Sequence, residues 1–159
     1  PGQGSFGTAT RHVTEGSLGE ALRMVIERGD PFLGICLGMQ LLYESSAEAE
    51  GSGLGIFKGE CRRFPDGMTV KEGEHTRRLK IPHVGWNDVE PTGEHYYFVH
   101  SYYVDAAETP ELLWSATYGD VRFAAAVRRD NVYGCQFHPE KSQYAGLRFL
   151  RAFLLGSRN

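Results

Sequence analysis

Phe32-Leu33-Gly34-Ile35-Cys36-Leu37-Gly38-Met39-Gln40-Leu41-Leu42, residues 32–42, sets one cysteine between two glycines where a short apolar run gives way to a helical pattern. Phe32 to Ile35 is nearly all apolar, as suits a strand buried on both faces of a parallel sheet, and Gly29 and Asp30-Pro31 mark the break before it. A turn that sharp between strand and helix needs small neighbours, so Gly34 and Gly38 read as a frame that lifts the Cys36 sulfur out of the sheet. The start of the next helix then points at the sulfur, and its positive dipole end is expected to favour thiolate over thiol. A merely buried cysteine needs none of this geometry, although glycines beside such a turn also serve packing alone.

Outward from this turn, the upstream residues Leu18, Ala21, Leu22, Val25 and Ile26 recur at the three-and-four spacing of one helical face, predicting a helix from Ser17 to Arg28. Pro1-Gly2-Gln3-Gly4-Ser5-Phe6-Gly7 reads as a glycine-rich turn of the kind that follows a strand, so a front end is expected to be missing. Downstream, a helix is expected from 38 to about 46, ending before Gly51, Gly53 and Gly55. Short β-rich runs follow at Gly55 to Phe64, Leu79 to Val84, Tyr96 to Val104, Leu112 to Tyr118, Arg122 to Val127 and Val132 to Phe137. Ser142 can cap a final helix with Leu147, Leu150, Phe153 and Leu154 along one face. The pattern predicts a three-layer α/β domain with a mixed sheet, and a single domain over residues 1–159.

Composition narrows the function classes. At 159 residues, 41% apolar and 23% charged, the chain can bury a proper core but is short for two. Seventeen basic against twenty acidic residues, net −3, lack the cationic excess that duplex binding needs, so no nucleic-acid partner is expected. Cys36, Cys61 and Cys135 are widely spaced and odd in number, which fits a reducing compartment better than a disulfide framework or zinc site. The histidines lack the H-x-x-x-H and H-E-x-x-H spacings, so no metal is assigned. No apolar run is long enough to span a bilayer and no signal peptide is recognisable, predicting a soluble cytoplasmic protein without a membrane partner.

His138-Pro139-Glu140 follows the run Val132 to Phe137, at the end of a predicted strand where α/β sheets tend to keep their chemistry. On extended backbone, side chains two apart share a face, so Glu140 could orient the imidazole of His138 while the other ring nitrogen takes the proton of Cys36. Taken alone, the tripeptide also reads as a surface turn. Together, Cys36, His138 and Glu140 supply nucleophile, base and orienting carboxylate in a plausible chain order. The backbone of Gly2, Gln3 and Gly4, with the N–H of Leu37, could hold an oxyanion, which makes acyl transfer the expected chemistry.

These residues resemble the class I, or triad, glutamine amidotransferases, and the resemblance extends over the chain. Gly34 to Ser46 with Met39, Pro82-His83-Val84-Gly85-Trp86-Asn87, His100-Ser101-Tyr102 and His138-Pro139-Glu140-Lys141-Ser142 look like the glutaminase subunits of imidazole glycerol phosphate synthases. The resemblance implies a flavodoxin-like class I domain lacking its first strand and helix. It implies that Cys36 attacks the side-chain amide of glutamine, with no cofactor, and that ammonia passes to a (β/α)8-barrel cyclase subunit in histidine biosynthesis. Gln40, Ser101 and Tyr102 match substrate-contacting positions, and Trp86, Asn87 and Lys141 match positions near the cyclase interface. Read from the residues alone, Gln40 serves equally as a solvent-facing helix residue, Lys141 as a solvated side chain and Trp86 as core. A glutaminase serving another synthase and a non-catalytic binding subunit are the alternatives; Met39 and the Pro82 to Asn87 segment count against the first.

Overall fold

The computed structural model describes residues 1–2, 4–14 and 17–156. Helices α1 (Phe6–Thr14) and α2 (Ser17–Glu27) precede β1 (Phe32–Ile35), which passes through Cys36 into α3 (Leu37–Gln40). There follow β2 (Ser45–Ser46), β3 (Glu60–Arg63), the hairpin of β4 (Thr69–Glu72) and β5 (His75–Arg78), and the hairpin of β6 (His83–Val89) and β7 (Glu94–His100). The chain closes with β8 (Tyr102–Tyr103), β9 (Leu112–Tyr118), β10 (Val121–Arg129), β11 (Val132–Cys135), a 3₁₀ turn (Pro139–Lys141) and α4 (Gln143–Gly156).

The sheet that carries the elbow has the order β1-β11-β10-β9. β1 and β11 pair in parallel, Phe32 with Val132 through Ile35 with Cys135, while β10 is antiparallel to both β11 and β9. The sheet is therefore mixed, as the sequence predicts. Apolar clusters cover both of its faces. Val13 and Ile26 from α1 and α2 join Met39, Ala124 and Val127 on one side; Ala145 and Phe149 from α4 join Ala125, Cys135 and Phe137 on the other. Phe32 packs toward the first and Leu33 and Ile35 toward the second, the period-two alternation of a strand covered on both sides.

Several elements differ from their sequence-based expectation. Residues 6 and 7 open α1 instead of a turn, because Ser5 Oγ accepts the Thr8 N–H at 3.3 Å and so caps the helix. The helix expected to reach about residue 46 ends at Gln40. The carbonyls that would continue it are taken by the returning loop, with Leu54 N bonding Leu41 O at 2.7 Å, Phe57 N bonding Leu42 O at 2.9 Å and Gly53 N bonding Glu44 O at 2.9 Å. The β4 and β5 hairpin was not anticipated, since β5 is exposed along its length and has no apolar alternation to read. Leu18 of α2 is exposed, and its place on the buried face is taken by Gly19, with Ile26 buried behind it.

The last helix is rotated part-way from its expected face: Leu150 packs against the core and the Phe153 ring lies 5.2 Å from that of Tyr133, but the other two expected positions face out. Leu147 and Leu154 are 60% and 62% exposed, while Ala145, Gly146 and Phe149 are buried. A β-carbon on Gly146 would collide with the Pro139 carbonyl, so this glycine seats the helix on the 3₁₀ turn and fixes its phase. Ser142 is no side-chain cap: its Oγ donates to His138 O at 2.7 Å and accepts the Tyr97 N–H at 3.0 Å, tying β7 to the turn.

Phe123 on β10 sits fully buried at the centre of an aromatic cluster, with ring centroids 5.8 Å from Phe64, 5.5 Å from Phe98 and 5.0 Å from His100. Phe123→Ala is expected to lower the unfolding free energy in urea by about 3–5 kcal/mol. Leu147→Ala, on the exposed side of α4, is expected to change it by less than about 0.5 kcal/mol; a large loss there would contradict the observed helix phase.

Candidate active site

Cys36 stands at the strand-to-helix turn with φ 52° and ψ −106°, a left-handed backbone that non-glycine residues enter at a cost of about 1–3 kcal/mol. The surroundings hold it there. Cys36 N donates to Cys135 O at 2.7 Å, Met39 N and Gln40 N reach Cys36 O at 3.1 and 3.2 Å, and Gly2 bridges to Cys36 in parallel register. A β-carbon on Gly34 would lie 2.5 Å from the Gly38 carbonyl oxygen, so the turn needs glycine at 34. At Gly38 a β-carbon would meet nothing within 4 Å, so only one half of the expected glycine frame is sterically required in this conformation.

The sulfur is 6% exposed; it accepts a hydrogen bond from Gln136 Nε2 at 3.5 Å and the thiol donates to Val99 O at 3.9 Å. Burial pushes the thiol pKa up to about 11, outweighing the N–H donors of Leu37 and Gln136, with Glu140 pushing the same way and Lys141 opposing it. The start of α3 does favour the thiolate, through the Leu37 N–H, but α3 is four residues long and desolvation outweighs it. Cys61 and Cys135 are fully buried, and burial raises both thiols further.

The parallel pairing of β1 with β11 sets Cys36 beside Cys135, three residues before His138. His138 N donates to Tyr97 O at 2.9 Å, and its side chain is 3% exposed. Its Nδ1 lies 2.7 Å from Glu140 Oε1, so the carboxylate fixes Nδ1 as the donor and leaves Nε2 as a lone-pair acceptor. The expected orienting contact exists, but not on extended backbone: Pro139–Lys141 forms a 3₁₀ turn that folds Glu140 back onto the ring. His138 Nε2 is, among the described residues, the buried side-chain nitrogen or oxygen left without a hydrogen-bond partner.

A cavity of about 280 Å³ opens over the sulfur, at the small end of ligand sites and sized for an amino acid. Gly2, Gly4, Leu37, Gln40, Ser101 and Tyr102, each expected near the site, line it; Gln3 lies outside the described residues. Gln40 is not solvent-facing but 4% exposed, its Nε2 donating to Tyr102 O and to Gln136 Oε1, both at 3.0 Å. Sequence reasoning missed Glu48, Val99 and His100 on the cavity wall and Gln136 beneath it. Glu44, Glu48 and Glu50 look alike in sequence, and only the loop's path selects Glu48 to line the cavity. Gln136 sits between two apolar residues immediately before His138, where a polar side chain in a buried strand end was the available signal.

Trp86, Asn87 and Lys141 stand apart from the cavity. Trp86 is 47% exposed rather than core, beside Val84 on the outward side of β6, and its ring meets Tyr97 edge-on. Lys141 is exposed with Nζ 5.9 Å from the Tyr97 ring centroid, and Asn87 turns inward to donate to Thr117 O at 2.9 Å. No helix among the described residues is long and apolar enough to cross a membrane, and no group of three or more His, Cys, Asp or Glu among them is placed to hold a metal ion.

The chain is similar to known proteins in both fold and sequence. A solved structure described as a glutamine amidotransferase superposes with a TM-score of 0.63 at 21% identity, covering 98% of this chain and 76% of that one, and so shares the fold. The imidazole glycerol phosphate synthase subunit HisH of Gloeobacter violaceus is 43% identical, covering 97% of this chain and 70% of that protein. The subunit of the same name from Syntrophotalea carbinolica is 44% identical, covering 96% and 78%. The family model described as glutamine amidotransferase class-I matches residues 1–156, and with relatives of this similarity the chain belongs to the class-I glutamine amidotransferases.

Proposed function

We propose that the chain is a glutaminase subunit that hydrolyses glutamine to glutamate and delivers the ammonia to a (β/α)8-barrel cyclase making imidazole glycerol phosphate in histidine biosynthesis. The observation that carries this reading is the unpartnered Nε2 of His138, buried, held by Glu140 in the tautomer of a base, and three residues beyond the backbone that clamps Cys36. Similarity to named subunits of imidazole glycerol phosphate synthase supports the choice of synthase.

In the proposed reaction, His138 Nε2 takes the Cys36 proton as the sulfur bonds to the δ-carbon of glutamine. The carbonyl oxygen becomes an oxyanion held by the N–H of Leu37 and the backbone of Gly2 and Gly4 at the cavity rim. His138 returns the proton to the amide nitrogen, the C–N bond breaks and ammonia leaves. Water, giving its proton to His138, then attacks the thioester; the C–S bond breaks, glutamate forms and the sulfur recovers its proton. Ser101 and Tyr102 form one wall for the substrate, and Glu48 supplies the negative charge that an α-ammonium group needs.

Ammonia released into water at neutral pH becomes mostly ammonium, which is no nucleophile, so a glutaminase of this kind needs a docked acceptor. The exposed Val84 and Trp86, with Lys141 beside the histidine turn, form an apolar and basic surface suited to that contact.

Glutamate release is expected to be weak for the chain alone and to rise strongly with the cyclase subunit and its nucleotide ligand; equal release with and without them would refute the coupling. Cys36→Ala is expected to abolish release, and Glu140→Gln to lower kcat by about 10²-fold or more through loss of the imidazole tautomer. Because the Cys36 pKa is raised to about 11, the thiolate fraction in the free chain grows throughout the range below it. Alkylation by iodoacetamide is therefore expected to quicken about tenfold per pH unit from about pH 7 to 10; a plateau beginning near about 8.5 would show an ordinary thiol instead.

A further inference from the structure

A run of hydrogen bonds joins the Cys36 sulfur to a pair of buried histidines that the proposed reaction does not touch, and each bond has a determined direction. The Tyr102 carbonyl can only accept, and it accepts from His100 Nδ1 at 2.8 Å and from Gln40 Nε2 at 3.0 Å. On the histidine side, a proton on Nδ1 leaves Nε2 of a neutral His100 as an acceptor. His83 Nδ1, 3.1 Å away, is then the donor, and His83 Nε2 faces the Asn87 side-chain N–H at 3.5 Å. On the glutamine side, the amide nitrogen of Gln40 also donates to Gln136 Oε1 at 3.0 Å, which turns the Gln136 amide nitrogen toward the sulfur at 3.5 Å.

The members are all buried: Gln136 fully, with His83, Gln40 and His100 at 3%, 4% and 5% exposure. Aromatic rings enclose the imidazoles, with His83 stacked 4.1 Å from Tyr118 and 5.2 Å from Phe98, and His100 5.2 Å from Phe64 and 5.0 Å from Phe123. Burial lowers the His83 pKa to about 4; burial first, then His83 and His138, lowers that of His100 to about 3. Each imidazole faces the other, His138 acts on His100, Tyr118 stacks on His83 and Glu48 lines the same cavity as His100; desolvation is the largest influence on both rings, which stay neutral, so the order of donors and acceptors is kept.

We propose that Gln136 is a positioning residue for Cys36: His100, itself bonded to His83, anchors the Tyr102 carbonyl, that carbonyl can only accept and so fixes the Gln40 amide, and Gln40 locks the Gln136 amide so that an N–H, and not a carbonyl oxygen, meets the sulfur. An amide flipped the other way would set oxygen against sulfur and oppose the thiolate that glutamine attack requires, so this inference rests on the glutaminase reading for its use. The charges that also act on the sulfur, Glu140 and Lys141, are untouched by changes within this chain.

The test is the pH profile of Cys36 alkylation by iodoacetamide, with Cys36→Ala as the background for Cys61 and Cys135. Gln136→Glu preserves shape and the bond from Gln40 while placing a carboxylate oxygen on the sulfur. Alkylation at pH 9 is expected to slow by about tenfold or more, with the profile moved to higher pH. Gln136→Met, which has no donor, and His83→Phe, which keeps the ring stack but not the bond to His100, are expected to slow it in the same direction by less. A merely structural role would change melting temperature without moving the pH profile. In the wild-type protein, imidazole ¹⁵N NMR is expected to show His83 and His100 as neutral Nδ1–H tautomers between about pH 5 and 8. Wild-type alkylation rates and pH profile in folded Gln136→Glu or Gln136→Met, or a His100 proton on Nε2, would overturn the proposal. Neither readout uses glutamine, so a chain that shows this order yet releases no glutamate would overturn the proposed function alone.

Discussion

The parallel pairing of β1 with β11 is the contact on which the site depends, because it brings residues from opposite ends of the chain to one sheet end. Its register sets Gly34 directly against Gly134. A β-carbon on Gly34 would strike the Gly38 backbone, and one on Gly134 would strike Met39 Cγ at 2.8 Å. Two adjacent glycines on neighbouring strands thus leave a hollow into which the elbow and the Met39 side chain sink. That close approach forces Cys36 into its left-handed backbone and lets Cys36 N bond Cys135 O. From the same strand end the chain turns at His138, so Cys36 and His138 are placed by one pairing rather than by two independent loops.

Closeness of packing has an electrostatic consequence. The burial that shapes an amino-acid-sized cavity also desolvates the sulfur, and desolvation outweighs the N–H donors beside it. The thiol bonds the Val99 carbonyl while His138 Nε2 stands unpartnered. The imidazole and the carboxylate of Glu140 are held together by their own contact at 2.7 Å.

Legibility in the sequence followed the range of the interaction. β1, the elbow and β9 were readable because a continuous apolar run between breakers, or a β-branched and aromatic run, determines them locally. The early end of α3 was not, since the competitors for its carbonyls come from Gly53 to Phe57, and apolar spacing carries no trace of a loop that returns. The phase of α4 was misread because Leu147 and Leu154 outrank Ala145 and Gly146 in hydropathy, whereas close approach to Pro139 rewards the smaller side chains. At the site, the contact of Glu140 with His138 was legible from their motif, but the depth of Gln40 and the presence of Glu48, His100 and Gln136 depend on contacts across 62 to 100 residues or on a loop's path.

Strand β6 joins the surface to this interior. Its alternation turns Val84 and Trp86 outward and His83, Asn87 and Val89 inward, so an exposed apolar face and the start of the buried hydrogen-bond chain share one backbone. β7 completes the arrangement: it supplies His100 to that chain, Val99 O to the thiol, and Tyr97, whose carbonyl holds His138 N while its ring lies against Trp86 and Lys141. Because the hairpin is antiparallel and fully paired from His83 with His100 to Val89 with Glu94, neither strand can shift without carrying the other. A displacement at the outward face is then a displacement of the groups that hold both the sulfur and the imidazole.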